Sequence, residues 1–276
     1  MQTGEFNVRL IRDGRFWLDG GSMFGIVPRV LWGRLVDCDE KNRMPLALNC
    51  LLIETPDKKI LFDAGIGANT SPKFNKIYNV TDVKGMRYRI EEAGLKVEDI
   101  DTVVFSHLHF DHVDGAVEVV NGERAPVFPN AEYITQAGEW RHAHDTNEFT
   151  AGGYSDFSLD ALERTGRLRL IEGDAEIAPG VHLHVTGGHT AHHQMLMIES
   201  RGEKAACFAD LIPMTAHISL PYIMALDEYP MQTLEAKRRL LRRAADEDWL
   251  CFFGHECARP AGRIREHEGR FTFERT

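Results

Sequence analysis

The sequence predicts a layered α/β fold in which strands and helices alternate along the chain in two rounds. Short apolar runs such as 49–54 and 102–106 have the length of buried strands, whereas 85–95 and 233–246 have helical character. Hydrophobic residues make up 43% and charged residues 27% of the chain, the balance of an ordinary soluble globular protein. We therefore predict one domain over residues 1–276.

The first half of the chain is predicted to begin with two contrasting segments. Residues 5–18 alternate around Asp13-Gly14, which predicts a hairpin. Residues 19–44 contain Gly, Pro and isolated large apolar residues, so we expect an N-terminal arm that packs on the core, walls a substrate pocket or contacts a second copy. Further predictions are strands at 49–54, 59–63 and 102–106, a loop at 70–84, and helices at 85–95 and from 113.

The second half repeats the alternation of strands and helices. Strands are predicted at 131–135, 168–172, 181–185, 194–200, 204–210 and 249–253, the last of the chain, with helices at 136–145, 159–168 and 233–246. Thr233 is the predicted N-cap of the charged helix 233–246. Residues 211–232, rich in Pro and Met, are predicted to form a loop beside a pocket.

Charge and cysteine usage narrow the class of protein. A net charge of −10 argues against a broad nucleic-acid or anionic-membrane surface, because a polyanion is repelled at long range. We see neither an apolar run of about 18 residues nor an N-terminal signal sequence. The five cysteines are odd in number and contain no CxxC, which favours structural thiols in a reducing compartment. We therefore expect a cytoplasmic protein with no nucleic-acid or membrane partner.

A dense set of metal-binding side chains follows the strand 102–106. Three histidines and an aspartate lie within six residues, at His107, His109, Asp111 and His112. His107 and His109 are two residues apart on an extended strand end, so both can face one metal. Asp111 and His112 lie beyond a turn and can face a second metal close by. Two metals roughly 3.5–4 Å apart need more donors than these four.

Three more potential ligands stand at the ends of other predicted strands. They are His189, Asp210 and His255, and glycine precedes both histidines. A single histidine at a strand end is more often structural than catalytic. Seven such positions, four of them in one motif, instead predict a hydrolytic site with two metals.

These motifs resemble the metallo-β-lactamase-fold hydrolase superfamily over nearly the whole chain. The matching segments are Asp63-Ala64-Gly65, His107–His112, Gly188-His189-Thr190, Ala209-Asp210 and Gly254-His255, in family order. The resemblance implies an αββα sandwich of two mixed β-sheets with the metals at one edge. It also implies that His107, His109 and His189 hold metal one, that Asp111, His112 and His255 hold metal two, and that Asp210 bridges them with a hydroxide.

Departures from family patterns narrow the resemblance to one group. β-Lactamases of this fold have no aspartate at the position of Asp210, and flavodiiron oxygen reductases carry a carboxylate at that of His109. The chain resembles the compact group that contains the N-acyl-homoserine-lactone lactonases and the methyl-parathion-type organophosphate hydrolases. Some lactonases carry a tyrosine where this chain has Pro213. His217 and Tyr222, in the same loop, are our candidates to polarise the carbonyl in its place.

The expected function is therefore dinuclear metal-dependent hydrolysis of a small lactone or ester, with quorum quenching as one possible use. In that mechanism the bridging hydroxide attacks the carbonyl and Asp111 passes a proton to the leaving alkoxide. Asp63 and Ser106 are expected to hold ligand histidines in place. The alternatives are an organophosphate or phosphodiester hydrolase and a metal-binding protein without catalysis. Zinc suits the ligands best, although manganese, iron and cobalt are compatible, and the arm suggests a homodimer.

Overall fold

The computed structural model describes residues 1–275. Its strands are β1 (Gln2–Thr3), β2 (Phe6–Asp19), β3 (Arg43–Glu54), β4 (Lys59–Phe62), β5 (Thr102–Val104), β6 (Val117–Val120), β7 (Glu123–Pro126), β8 (Glu132–Gln136), β9 (Leu168–Ile171), β10 (Ala175–Ala178), β11 (Val181–Val185), β12 (Gln194–Ser200), β13 (Glu203–Cys207), β14 (Leu250–Phe252), β15 (Ala261–His267) and β16 (Arg270–Glu274). Its α-helices are α1 (Gly20–Phe24), α2 (Arg29–Trp32), α3 (Pro72–Tyr78), α4 (Met86–Glu92), α5 (Phe110–Val113), α6 (Ala137–His144), α7 (Asp156–Arg164) and α8 (Pro230–Asp246). Within the described residues, none of these helices has the length and apolarity needed to cross a membrane.

The strands form two seven-stranded mixed sheets and a separate hairpin. The first sheet has the order β1-β2-β3-β4-β5-β8-β9, antiparallel as far as β4 and parallel from there on. The second has the order β10 to β16 and is antiparallel except between β13 and β14. The hairpin pairs β6 with β7.

The strand side chains alternate between two packing layers, as the period of a strand requires. Leu51 and Ile53 of β3 pack between the two sheets, against residues such as Leu196 and Phe252 of the second sheet. Cys50 and Leu52 of the same strand face the opposite layer, where α4, α6 and α7 cover the first sheet. Helix α8 covers the outer face of the second sheet in the same way. The result is the αββα sandwich that the sequence resemblance implied, and that prediction is confirmed.

The predicted hairpin at 5–18 is wrong, because these residues form the single strand β2. The strand has an irregularity in its pairing with β3 between Arg12 and Arg15. Asp13 is buried there, and its Oδ2 accepts a hydrogen bond of 2.8 Å from the backbone N–H of Gly67. The Asp-Gly pair therefore makes a bulge inside one strand, and one oxygen of the Asp13 carboxylate accepts from a distant loop.

Local capping signals explain two further differences between the predicted and the observed helices. The predicted loop at 70–84 contains α3, which begins at Pro72 and is capped by Ser71 Oγ accepting from Phe74 N at 3.1 Å. The helix α8 begins at Pro230 with Tyr229 as N-cap, so Thr233, predicted as the cap, is a buried residue inside the helix. Both helices start at a proline, which suits the first turn because its missing N–H has no partner there.

Three other segments also differ from prediction. The helix predicted from residue 113 is limited to one short 3-10 helix at Asp114–Ala116, after which the chain forms the β6–β7 hairpin around Asn121-Gly122. The predicted arm holds two short helices, α1 and α2, and its Phe24 is fully buried. The strand β14 is not the last of the chain, since β15 and β16 follow and extend the second sheet.

Candidate metal centre

Loops at one edge of the sandwich bring all seven predicted ligands together. In the second sheet, one ligand follows each of the strands β11, β13 and β14. In the first sheet, the loop after β5 and the helix α5 contribute the other four ligands. The seven side chains form three overlapping groups whose ligand atoms lie within 4.8 Å of one another: His107 with His109 and His189, His107 with His112 and Asp210, and Asp111 with His112 and His255. Each group has the composition of a metal site.

Asp210 lies between the two outer groups. Its Oδ2 is 3.4 Å from His189 Nε2, on the side of the first group. Its Oδ1 is 3.3 Å from His112 Nε2 and 3.0 Å from His255 Nε2, on the side of the second group. The carboxylate therefore offers one oxygen to each group.

Carboxylates and a carbonyl behind the cluster orient three of the imidazole rings. Asp63 Oδ2 lies 2.9 Å from His112 Nδ1. Asp227 Oδ1 lies 2.9 Å from His189 Nδ1. The Nδ1–H of His255 donates to the carbonyl oxygen of Ala47 at 2.8 Å. Because each Nδ1 carries the proton in such a contact, each Nε2 directs a lone pair into the cluster, as a metal ligand must.

The other two histidines present different nitrogens to the cluster. Ser106 Oγ donates to Asp63 Oδ2 at 3.0 Å, so His107 Nδ1, 2.9 Å from the same hydroxyl, is the donor in that contact. His107 therefore presents Nε2. His109 presents Nδ1, which lies 3.0 Å from His107 Nε2 and 3.1 Å from His189 Nε2. The expected positions of Asp63 and Ser106 behind the ligands agree with these contacts.

Burial and neighbouring charges set the protonation of the cluster. Burial and the surrounding imidazoles lower the pKa of both His107 and His109 well below the usual histidine value. Burial also disfavours the charged form of His112, but Asp111 and Asp210 outweigh it and raise its pKa. Burial alone would raise the pKa of Asp210, yet the facing histidines hold it well below its usual value. Burial also disfavours the charged forms of His189 and His255, but Asp210 outweighs it and raises both pKa values. The set thus combines two neutral histidines and an ionised carboxylate with three histidines that hold protons more tightly, and a bound cation would displace those protons.

Two atoms at the centre of the cluster fit a cation directly. His112 Nε2 and Asp210 Oδ1 are buried and make no hydrogen bond to any residue in the described chain. A buried polar atom without a partner costs about 1–3 kcal/mol. Both atoms are in ligand positions, so the donor set fits a divalent cation that coordinates them.

The cluster forms the floor of a cavity of about 270 Å³. His109, Asp111, His189, Asp210 and His255 reach the cavity from the cluster. Most of the wall is apolar: Leu18, Met23, Leu46, Phe110, Phe149, Met224, Ala225 and Leu226. The predicted arm and the predicted pocket loop 211–232 both contribute to this wall.

The family comparison agrees with this geometry. A family model described as the metallo-beta-lactamase superfamily matches residues 43–255, which include every residue of the metal cluster. The chain belongs to the metallo-beta-lactamase superfamily. It is therefore a hydrolase by family, as the sequence motifs predicted.

Individual metallo-beta-lactamase superfamily relatives match the chain over most of its length. An N-acyl homoserine lactonase from Bacillus cereus is 28% identical over 237 residues, which cover 80% of this chain and 86% of the relative. A probable metal-dependent hydrolase from Staphylococcus aureus superposes with a TM-score of 0.91 at 29% identity, covering 100% of this chain and 99% of the other. An N-acyl homoserine lactone hydrolase, solved with N-hexanoyl-L-homoserine at its catalytic metal center, superposes with a TM-score of 0.71 at 25% identity, covering 93% and 94%.

Two residues of this chain that were predicted to be catalytic, His217 and Tyr222, do not line the cavity. His217 is buried, donates from Nε2 to the carbonyl of Met23 at 2.7 Å and stacks on Phe24 with a ring distance of 4.7 Å. Tyr222 packs edge-on against the ring of Phe24, and its backbone carbonyl accepts a hydrogen bond of 2.6 Å from Lys237 Nζ. The structure does not bring either side chain to the metal cluster. Both hold the arm against the pocket loop.

Two buried residues that stabilise the site were not predicted. Glu139 accepts hydrogen bonds from Leu108 N and Thr190 Oγ1, at 3.1 and 2.6 Å, and so links the two ligand loops. Asp227 is the partner of His189 described above. Each lies in a segment predicted as an ordinary helix or loop, and neither has a local sequence signal. Their contacts depend on residues 31 to 51 positions away along the chain.

Proposed function

We propose that the protein is a dinuclear metal-dependent hydrolase that opens lactones and cleaves related esters. The observation that carries the proposal is the position of Asp210, which directs one oxygen to each of two ligand groups. A carboxylate in this position suits two cations held close together. A structural metal site is usually closed, whereas this one lies at the floor of a cavity.

Two cations fit the donor set. His107, His109 and His189 would hold one, Asp111, His112 and His255 would hold the other, and Asp210 would contact both. Histidine nitrogen with carboxylate oxygen suits zinc, and we propose zinc as the native metal in preference to manganese, iron or cobalt.

The residues of the chain have distinct roles in the proposed reaction. When bound, divalent cations supply Lewis acidity and lower the pKa of a water molecule toward neutrality. Asp63 and Asp227 keep their histidines in the tautomer that exposes Nε2. Asp111 lines the cavity and lies 3.5 Å from His255 Nε2, so its carboxylate is positioned to carry a proton to the departing alkoxide.

The cavity supports a neutral substrate with an apolar tail. Its wall is mainly aliphatic and aromatic, and among the residues described no lysine or arginine lines it. A phosphodiester would therefore meet no side-chain cation outside the metal cluster. An acyl chain would bury its surface against the wall, at roughly 0.8 kcal/mol per methylene. The lactonase names of the relatives support the same substrate class.

The test is a substrate panel combined with metal analysis. Zinc-loaded protein is assayed on N-acyl homoserine lactones, aryl esters, phosphotriesters and phosphodiesters. We expect two ions per chain and the highest kcat/KM on a lactone. H109A is the site variant, and H184A, which removes an exposed histidine on β11, is the matched control. A lactone rate equal to that of H109A, or one tightly held ion per chain, would contradict the proposal.

We also propose a cytoplasmic, homodimeric protein. All five cysteines are free, which suits a reducing compartment.

The arm exposes Ile26 and Val30 by 92% and 72%, with Leu31 and Leu35 also exposed, and burial against a second copy would remove these apolar side chains from water. Light scattering checks the dimer: we expect twice the chain mass for the wild type and a shift toward the monomer for I26D.

A further inference from the structure

Glu228 places a carboxylate in an otherwise largely apolar cavity wall. It has no role in the hydrolytic mechanism proposed above. It follows the apolar wall residues Met224, Ala225 and Leu226 and lines the same cavity. Its side chain is only 9% exposed. A largely buried carboxylate needs hydrogen-bond donors, because its desolvation is costly.

One oxygen of Glu228 already has a neighbour. Its Oε1 is buried and lies 3.3 Å from His142 Nε2 of α6, in a geometry that makes no hydrogen bond. In the described chain no residue donates a hydrogen bond to Oε2. The carboxylate thus lies beside His142 without a hydrogen bond to it, and it retains the capacity to accept a donor from the cavity.

The position of Glu228 in the cavity determines which part of a bound substrate its carboxylate would contact. Its backbone N–H donates to the backbone carbonyl of the metal-cluster residue His189 at 3.0 Å. This hydrogen bond places the backbone of Glu228 directly beside the cluster. The apolar wall starts immediately before it in the chain, at residues 224–226. A substrate whose reacting carbonyl is at the cluster and whose tail lies along the wall would place its linking group beside Glu228.

We propose that Glu228 is a specificity-determining residue that accepts a hydrogen bond from an N–H group between the reacting ring and the acyl tail. The preferred substrates would then be lactones bearing an N-acylamino group, rather than plain alkyl lactones or esters. This inference rests on the proposed lactonase function. A hydrogen bond to a charged acceptor is worth about 1.5–3 kcal/mol, or about 10- to 150-fold in kcat/KM.

The test compares N-hexanoyl homoserine lactone with its N-methylated analogue, which lacks the N–H donor. We expect the wild type to prefer the N–H compound by at least tenfold in kcat/KM. In E228L this preference should fall to less than threefold, and E228Q, which keeps an acceptor oxygen, should retain part of it. Calorimetry with the ring-opened product N-hexanoyl-homoserine, with and without N-methylation, should show the same change in Kd ratio.

The outcomes separate the inference from the function on which it rests. If neither lactone is hydrolysed by metal-loaded wild type, the lactonase proposal fails. If both are hydrolysed and E228L lowers both rates by the same factor, Glu228 has only a structural role and the inference is overturned. The metal content and melting temperature of E228L and E228Q show whether either variant is misfolded. If E228L is misfolded, the ratio of the Kd values of E228Q for the two products decides whether Glu228 accepts the N–H hydrogen bond.

Discussion

Asp227 Oδ1 lies 2.9 Å from His189 Nδ1, and both side chains are 1% exposed. The contact fixes the histidine with Nε2 toward Asp210. Because both side chains are almost fully buried, bulk solvent competes little for this contact.

We therefore expect D227A to weaken metal binding at the first ligand group by about 10- to 100-fold. The measurement is ion content after dialysis against graded chelator, followed by kcat/KM at saturating zinc. The matched control is D174A, which removes the carboxylate 2.9 Å from the Nδ1 of exposed His184. Equal metal affinity in D227A and D174A would contradict the assigned role.

The same contact shows which parts of the site the sequence could predict. His107, His109, Asp111 and His112 are neighbours in the chain, so their spacing alone indicated a shared site. Asp227 is 38 positions from His189, and only the packing of the pocket loop brings them together. Glu228 and Glu139 were missed for the same reason.

The fold prediction had a similar limit. The strand at 49–54 was predicted because its short apolar run has the length of a buried strand, and it lies within β3. Asp13-Gly14 has the residues of a turn, and the contact that keeps it inside one strand, from Gly67 N to Asp13 Oδ2, joins residues 54 positions apart. Asn121-Gly122 had the residues of a tight hairpin turn, so that signal was present and was not used.

Gly153 allows His109 to occupy its place in the cluster. A Cβ atom at this position would lie 2.6 Å from both Cδ2 and Nε2 of the His109 ring, closer than real atoms approach. G153A should therefore rotate the ring and move Nδ1 away from His107 and His189. We expect a loss of about 100-fold in kcat/KM, the scale of a misplacement near 1 Å.

The neighbouring glycine provides the control for this substitution. A Cβ at Gly152 would meet nothing within 4 Å, although the residue also lines the cavity. We expect G152A to change kcat/KM much less than G153A, by under about threefold. Zinc content of both variants, measured alongside the rates, should fall only in G153A. Comparable losses in the two variants would show that backbone stiffening, and not the His109 contact, is responsible.

The buried Asp13 makes stability depend on pH. Burial raises its pKa to about 6, partly offset by the hydrogen bond from Gly67. The folded state therefore holds this proton to a higher pH than the unfolded chain, whose aspartate titrates near 4. The free energy of unfolding should fall as the pH rises from about 4 through about 6, by about 3 kcal/mol from this residue.

D13N removes this titration while keeping an oxygen for the Gly67 N–H. The measurement is urea unfolding of wild type and D13N at pH 4.5, 5.5 and 7. We expect the stability of the wild type relative to D13N to decrease across this series. The opposite slope, or a constant difference, would show that Asp13 is already ionised at low pH in the folded protein.

Metal removal should lower thermal stability, because the cluster buries Asp111 and Asp210 beside rings that need a cation as partner. A ligand at 100 times its Kd stabilises the folded state by about 2.7 kcal/mol per site. For a chain of this length that corresponds to a rise of several degrees in Tm, since about 1 kcal/mol shifts Tm by about 2–4 °C. Calorimetry in excess zinc and in excess chelator measures the difference.

H255A should reduce this metal-dependent rise in Tm, because it removes one of the three side chains of the second group and leaves the first group intact. H184A, with an exposed histidine removed, should show the full rise. If wild type melts at the same temperature in zinc and in chelator, the cluster does not bind zinc in the folded state. If H255A and wild type show equal rises, only the first ligand group binds a cation and the dinuclear proposal is wrong.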